Sequence, residues 1–78
     1  MHVLIIPKKH ISTALEITAE DESLIGHLFW VAAKIAKEKG IDERGFRLVS
    51  NTNAEAGQTV YHIHLHLIGG RHMHWPPG

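Results

Sequence analysis

One stretch decides the fold and the chemistry of this chain: Thr59-Val60-Tyr61-His62-Ile63-His64-Leu65-His66-Leu67-Ile68-Gly69-Gly70. Three alternate positions in it are histidines, His62, His64 and His66. Successive side chains of an extended strand point to opposite faces, so these imidazoles share one face, about 7 Å apart along the strand. The other face holds Tyr61, Ile63, Leu65 and Leu67. The pattern predicts a strand with one apolar, buried face and one face of imidazoles.

A row of imidazoles is compatible with three kinds of chemistry. Imidazole titrates near neutral pH, so one histidine can attack phosphorus while the others move protons. Histidine is also a common zinc ligand, but a tetrahedral site needs ligands from a second element, and the chain has no Cys. His10, or the pair His72 and His74, could supply them. The third interpretation is a nucleotide-binding module without catalysis. The residues alone leave all three open.

Length and composition limit the size of the core. The chain has 78 residues, which is enough for a single domain, 1–78, of marginal stability. No cysteine is present, so no disulfide can compensate for the small core. Association with a second subunit is the remaining way to bury more apolar surface.

Charge and hydropathy exclude several classes of partner. Eight Lys and Arg balance eight Asp and Glu, which argues against general electrostatic binding to nucleic acid or to a membrane surface. No apolar run is long enough to span a membrane, and the segment 1–7 lacks the basic region and cleavage site of a signal peptide. We therefore expect a cytoplasmic protein.

The rest of the chain predicts two further strands and one helix. His2–Ile6 is apolar and β-branched, and Pro7 ends it, as expected of a buried strand. Thr18 is a helix cap, and the helix continues to Gly40. Phe46–Asn51 is predicted to form an antiparallel hairpin with the histidine strand. The expected fold class is α+β, in the order β-α-β-β, with a helix on one face of an antiparallel sheet.

The predicted helix carries more apolar surface than one stripe. The stripe itself consists of Leu24, Leu28, Val31 and Ile35. Phe29 and Trp30 lie outside it. They indicate either a contact between subunits or core packing against a missing or neighbouring sheet, and the sequence gives these two alternatives similar weight.

The histidine stretch and its flanks resemble the histidine triad (HIT) family. The family motif is His-apolar-His-apolar-His-apolar-apolar, preceded by a Gln and a Ser or Thr, and Gly57–Ile68 matches it. The segment Pro7–Ser12 and the ending Gly69–Gly78 are similar to the nucleotide-binding Hint branch of that family. The resemblance implies a HIT-like fold and favours the covalent transfer among the three chemistries.

The resemblance also implies roles for individual residues. His64 would be the nucleophile, attacking the α-phosphate of a purine nucleoside phosphoramidate to give a nucleotidyl-histidine that water cleaves. His62 and its neighbour His10 would hold the ring of His64, while His66 would contact the phosphate or the leaving group. The implied substrate-binding residues are Asn51, Gln58, Thr59 and Trp75. The resemblance implies no cofactor and no metal ligand.

The chain departs from the family pattern at its beginning. Similar proteins carry an N-terminal section, a short helix and a β-hairpin, before the strand that starts here at Val3. That section contributes much of the nucleoside pocket, and we expect this chain to be the C-terminal portion of the usual domain. Similar proteins also pair the region of Phe46–Asn51 across a two-fold axis. The resemblance therefore implies a homodimer whose ligand is an AMP-type purine nucleotide.

Overall fold

The computed structural model describes all residues from 1 to 78 and contains three strands and one α-helix. The strands are β1 (His2–Ile5), β2 (Phe46–Val49) and β3 (Leu65–Gly69), and the helix is α1 (Glu22–Glu38). Short 3-10 turns occur at Ala14–Glu16, Ala19–Asp21 and Ala54–Ala56. None of its helices is long and apolar enough to cross a membrane.

The sheet is antiparallel throughout and has the strand order β1-β3-β2. The strand β3 is central, so His66 has Leu4 of β1 on one side and Val49 of β2 on the other. The predicted α+β class, with the helix on one face of an antiparallel sheet, is confirmed. The second strand is shorter than predicted, because β2 ends at Val49 rather than at Asn51.

The prediction of a regular strand through all three histidines is wrong, since β3 begins only at Leu65. The segment before it bonds to a loop instead of to a strand: the Ile63 N–H donates to the Ile11 carbonyl at 2.6 Å. Buried and half-buried side chains nevertheless continue to alternate back to His62. Tyr61 breaks it and is 47% exposed, so its expected place on the buried face is also wrong.

The core lies between the sheet and α1. Leu65 and Leu67 of β3 are buried together with Ile5 of β1 against the helix. The helix contributes a buried line of Leu28, Ala32 and Ala36, with Ile25, Val31 and Ile35 packed at its sides. The predicted stripe is therefore displaced: alanines, whose short side chains let the helix approach the sheet closely, occupy its centre, and the larger residues flank it.

Phe29 and Trp30 do not belong to this core. They remain 49% and 60% exposed, although Phe29 lines a small apolar cavity together with Leu28 and Leu65. Packing of these two residues against a further or neighbouring sheet remains a prediction. The Trp30 ring is stacked on His27 at a centroid distance of 5.6 Å, and Lys34 lies 5.5 Å from its centre. A contact between subunits remains a prediction.

The start of the helix is fixed by a carboxylate. Thr18 caps a 3-10 turn rather than the α-helix directly, and α1 follows from Glu22. The Asp21 carboxylate accepts hydrogen bonds from the backbone N–H of Thr18 at 3.0 Å and from its hydroxyl at 3.1 Å. Lys9, in the loop after β1, forms an ion pair with the same carboxylate. The loop after β1 is thus attached to the sheet through β1 and to the start of α1 through the Lys9–Asp21 ion pair.

Candidate active site

The three histidines share the face of the sheet that lies opposite α1. Leu65 and Leu67 point into the core, so the alternating His64 and His66 point away from it. All three imidazoles are half-buried, and the rings of His64 and His66 meet edge to face at a centroid distance of 4.9 Å. The predicted row of imidazoles therefore exists, although only His66 belongs to a regular strand.

The ring of His64 is held by its own chain. Its Nδ1 lies 2.8 Å from the backbone carbonyl oxygen of His62. A carbonyl oxygen only accepts hydrogen bonds, so Nδ1 must carry the proton and donate it. The neutral ring then has an unprotonated Nε2 with a free lone pair. This is the tautomer that a nucleophile requires.

The ring of His62 is fixed in the same way from the loop after β1. Its Nε2 donates to the backbone carbonyl of Pro7 at 2.9 Å. The imidazole of His10, in the same loop, lies edge-on to the ring of His62 at a centroid distance of 5.2 Å. The structure thus brings His10 to the histidine row as expected, and His10 lies next to His62.

His66 is held by a fourth histidine that the sequence reasoning missed. His2 of β1 places its Nε2 2.8 Å from Nδ1 of His66, and the two rings are 5.0 Å apart. Burial lowers the pKa of His66, and the neighbouring imidazoles of His64 and His2 lower it further. His66 is therefore kept neutral. The available signal was a histidine in a strand expected to join the same antiparallel sheet.

Gln58 holds the loop before the histidines. It is buried, and its side-chain oxygen accepts the Asn53 N–H at 2.8 Å. Its amide group donates to the carbonyls of Ser12 at 2.9 Å and Val60 at 3.2 Å. The bonds to Asn53 and Val60 lie within the loop 51–60, and the bond to Ser12 joins this loop to the segment after β1. A contact between Gln58 and a substrate remains a prediction.

The other three residues expected to bind substrate lie in the loop 51–60 and in the C-terminal tail. Asn51 is half-buried just after β2, and Thr59 is exposed next to Gln58. Trp75 is 83% exposed in the C-terminal tail. The tail is attached near β2, where Arg47 donates to the His74 carbonyl at 3.0 Å. Their roles remain predictions.

The donor set does not favour the zinc interpretation. No group of three or more His, Asp or Glu side chains is arranged to hold a metal ion. The one direct contact between imidazole nitrogens, His2 to His66, has hydrogen-bond geometry. Neither His72 nor His74 of the tail contacts the row, so neither supplies the additional ligand that the sequence allowed.

Comparisons with known proteins point to the same family as the histidine row does. A family model described as the HIT domain matches residues 1–73. The chain belongs to the HIT family. An uncharacterized HIT-like protein of Synechococcus elongatus is 51% identical over 78 residues, which are all of this chain and 68% of that protein.

Two further HIT relatives are a curated enzyme and a solved structure. The purine nucleoside phosphoramidase of Escherichia coli is 54% identical over 70 residues, covering 90% of this chain and 59% of the enzyme. The crystal structure of a HIT family hydrolase from Legionella pneumophila superposes with a TM-score of 0.96 at 53% identity, covering 99% of this chain and 69% of that one. This HIT chain therefore spans about 60–70% of the length of its relatives.

Proposed function

We propose that this chain hydrolyses purine nucleoside phosphoramidates, and that His64 is the nucleophile. The observation that carries the proposal is the bond from His64 Nδ1 to the His62 carbonyl, because it leaves Nε2 unprotonated. The identity to a purine nucleoside phosphoramidase supports the choice of substrate. The chain aligns with 59% of that enzyme, so the activity of the whole enzyme is here a proposal.

The reaction has two displacements at phosphorus. In the first, Nε2 of His64 attacks the α-phosphorus, a P–N bond to histidine forms, and the P–N bond to the leaving amine breaks. In the second, water attacks the same phosphorus, the nucleoside monophosphate leaves, and the lone pair returns to Nε2. Both displacements use one nitrogen whose position is fixed by the backbone of its own chain.

The leaving amine needs stabilisation as it departs, and the neutral imidazole of His66 beside the nucleophile supports a hydrogen-bonding role there. With His2 as the donor in their hydrogen bond, His66 accepts at Nδ1 and carries its own proton on Nε2. That N–H faces the same side of the sheet as the nucleophile. This N–H can donate a hydrogen bond to the leaving amine or to a phosphate oxygen. The amine takes up a proton from solvent as the first P–N bond breaks, and the water of the second step releases one to solvent.

The test is to incubate the protein with adenosine 5′-phosphoramidate and measure both AMP release and the mass of the intact chain. A quenched reaction should contain protein carrying one adenylyl group on His64. The variant His64→Ala should lose the adduct and the turnover, whereas His72→Ala, in the exposed tail, should keep both. Turnover by His64→Ala at the rate of the unchanged protein would refute the mechanism. Binding of AMP without turnover would favour the nucleotide-binding module instead.

We also propose that the chain acts as a homodimer through α1 and the edge strand β2. Phe29 and Trp30 form an exposed apolar surface on α1. The strand β2 has a neighbour on one side only. An interface of about 800 Å² per subunit would cover both features and is large for so small a domain. A cytoplasmic location, expected from the sequence, stays a prediction.

The dimer is tested by light scattering and by thermal melts at several protein concentrations. The midpoint should rise with concentration, as mass action requires. Trp30→Glu should shift the protein to monomer, while Leu15→Glu, another exposed apolar position, should not. A folded monomer at micromolar concentration with a concentration-independent midpoint would contradict the dimer.

A further inference from the structure

All three arginines of the chain line one open cleft. Arg44 lies in the turn before β2, Arg47 belongs to β2, and Arg71 follows β3. The cleft between them has a volume of about 210 Å³, and its lining comes only from residues 44–47 and 71–73. None of the five lysines of the chain lines it. The chain therefore concentrates its guanidinium groups in a single place.

No carboxylate neutralises these guanidinium groups. The single ion pair of the chain joins Lys9 to Asp21, so no arginine has a carboxylate partner. Asp42 and Glu43 precede Arg44 in sequence, but neither pairs with it. Like charges that share one cleft repel one another, and an anion bound between them turns this repulsion into attraction.

Most of the N–H donors in the cleft are also unused. Each guanidinium group has five N–H donors. Arg47 donates to the His74 carbonyl at 3.0 Å, and Arg71 donates to the His72 carbonyl at 3.2 Å, whereas Arg44 forms no hydrogen bond within the chain. The tail thus holds two of the three side chains in place. This reduces the entropy lost when a ligand binds and leaves their other donors free.

We propose that this cleft binds a phosphate group, that of inorganic phosphate or of a phosphate monoester. The planar fork of arginine matches two phosphate oxygens at once, and arginine rather than lysine is typical where such pairs form. A phosphate monoester carries roughly 1.5 to 2 negative charges near neutral pH and offers three acceptor oxygens. Three arginines around one cleft suit this charge better than the single charge of a carboxylate.

A second copy of the chain is the alternative occupant, because the cleft adjoins β2, where we place the dimer contact. A two-fold axis brings the same surface of both subunits together. Two β2 strands paired in this way would bring two sets of the same arginines toward each other. That arrangement adds positive charge beside the cleft and neutralises none, so the charges favour a small anion.

The cleft is separate from the histidine row. Its lining includes none of His62, His64 and His66, and β3 lies between β1 and the strand that contributes Arg47. The proposal rests on the arginines and on their unused donors. It does not depend on the hydrolase activity, and either proposal can fail without the other.

The test uses the whole chain labelled with ¹⁵N, titrated with inorganic phosphate and separately with phenyl phosphate at neutral pH and constant ionic strength. Amide shifts at Gly45, Arg47 and Met73 should saturate, whereas shifts at His64 report binding at the histidine row. The tighter of the two ligands identifies the source of the phosphate group. Acetate should bind at the cleft at least about tenfold more weakly, since it offers one charge and two oxygens.

Matched variants keep the test independent of folding. Arg44→Gln changes an exposed side chain without hydrogen bonds in the chain and should weaken phosphate binding by about tenfold or more. Arg71→Gln, also exposed, should have the same effect. Lys8→Gln removes the same charge from the exposed loop after β1 and should change the affinity less than about twofold.

Three results would overturn the proposal. The first is an unchanged affinity in both arginine variants, and the second is saturable shifts at the histidine row alone. The third is acetate that binds at the cleft as tightly as phosphate. A mass in light scattering that falls on Arg44→Gln in the absence of phosphate would also contradict it, because a carboxylate of a second copy would then occupy the cleft.

Discussion

Gly69→Ala should destabilise the protein through a single contact. Gly69 is buried near the end of β3, and a Cβ added there would lie 2.6 Å from Cδ1 of Ile41. Carbon atoms prefer separations of about 3.5–4.0 Å, so Cδ1 has to move. The backbone of Ile41 cannot easily follow, since its N–H bonds the Ala36 carbonyl and its carbonyl accepts the Gly45 N–H, both at 3.0 Å.

The magnitude follows from two opposing terms. Inserting one carbon into a packed core costs about 1–3 kcal/mol. Replacing a glycine removes flexibility from the unfolded chain and returns roughly 0.4–1 kcal/mol. Gly69→Ala should therefore lower the free energy of unfolding by about 1–2 kcal/mol. In a domain of this length that corresponds to a fall of roughly 5–10 °C in the melting midpoint.

A double-mutant cycle in urea isolates the contact. Ile41→Val deletes Cδ1, and alone it should cost about 0.5–1.5 kcal/mol. With Cδ1 gone, the nearest remaining Ile41 atoms lie 3.5 Å from the new Cβ, an ordinary contact. The double variant should thus be at least about 1 kcal/mol more stable than the sum of the single losses predicts.

The control is Gly26→Ala on the outer side of α1, where nothing lies within 4 Å of an added Cβ. It should stabilise the protein by about 0.5–1 kcal/mol, since alanine favours a helix over glycine. All variants are compared at one protein concentration. If the losses from Gly69→Ala and Ile41→Val simply add, to within about 0.5 kcal/mol, the reasoning from the 2.6 Å contact is refuted.

Three further predictions concern charge and the loop. Hydrogen bonding to Lys9 holds the pKa of Asp21 below its ordinary value. The stabilisation from this carboxylate is therefore complete above about pH 4 and is lost as the pH falls through the lower folded pKa. In urea melts from pH 5 to 2, the free energy of unfolding should depend less on pH in Asp21→Asn than in the unchanged protein. The lowered pKa of His66 means that the unfolded chain binds a proton first, so stability should fall as the pH drops below about 6.5. In His2→Asn, an NMR titration should find the pKa of His66 moved upward. Gln58→Leu leaves three backbone groups without partners and should cost about 1–3 kcal/mol by urea melts.

Each of these predictions has a result that contradicts it. An acid limb unchanged by Asp21→Asn would mean that the ion pair adds nothing to pH-dependent stability. A pKa of His66 that stays the same in His2→Asn would remove the fourth histidine from the electrostatics of the row. If Gln58→Leu unfolds at the urea concentration of the unchanged protein but loses turnover, its side chain serves the substrate and not the loop.

The fold was predictable where local signals and the tertiary structure agree. Pro7 ends the first strand, the apolar period of α1 gives one buried side, and alternation around His64 separates imidazoles from core. Local patterns did not reveal that the strand starts at Leu65, because before it the Ile63 N–H donates to the Ile11 carbonyl of a loop instead of joining a ladder. Alternation of burial survives without a strand, so a pattern of period two does not by itself prove pairing.

The candidate site was predictable in part for a different reason. His62, His64 and His66 lie close together in sequence, and the carbonyl that orients the ring of His64 belongs to His62. His2 is 64 residues away from its partner, and only the register of β1 on β3 brings the rings together. The position of Ala32 at the centre of the buried helix face was likewise not predictable. The distance between helix and sheet depends on packing between elements, which no single stretch of sequence contains.

The carbonyl group of His62 also sets a condition for protein design. In the middle of a central strand, every carbonyl oxygen accepts a hydrogen bond from a neighbouring strand. Here β3 starts three residues later, and the oxygen is left for a ring of its own chain. Grafting His62–His66 into the middle of an ideal designed sheet would reproduce the row of rings but occupy that oxygen. The grafted nucleophile would lose its fixed tautomer, so a scaffold for this chemistry needs a central strand that begins late.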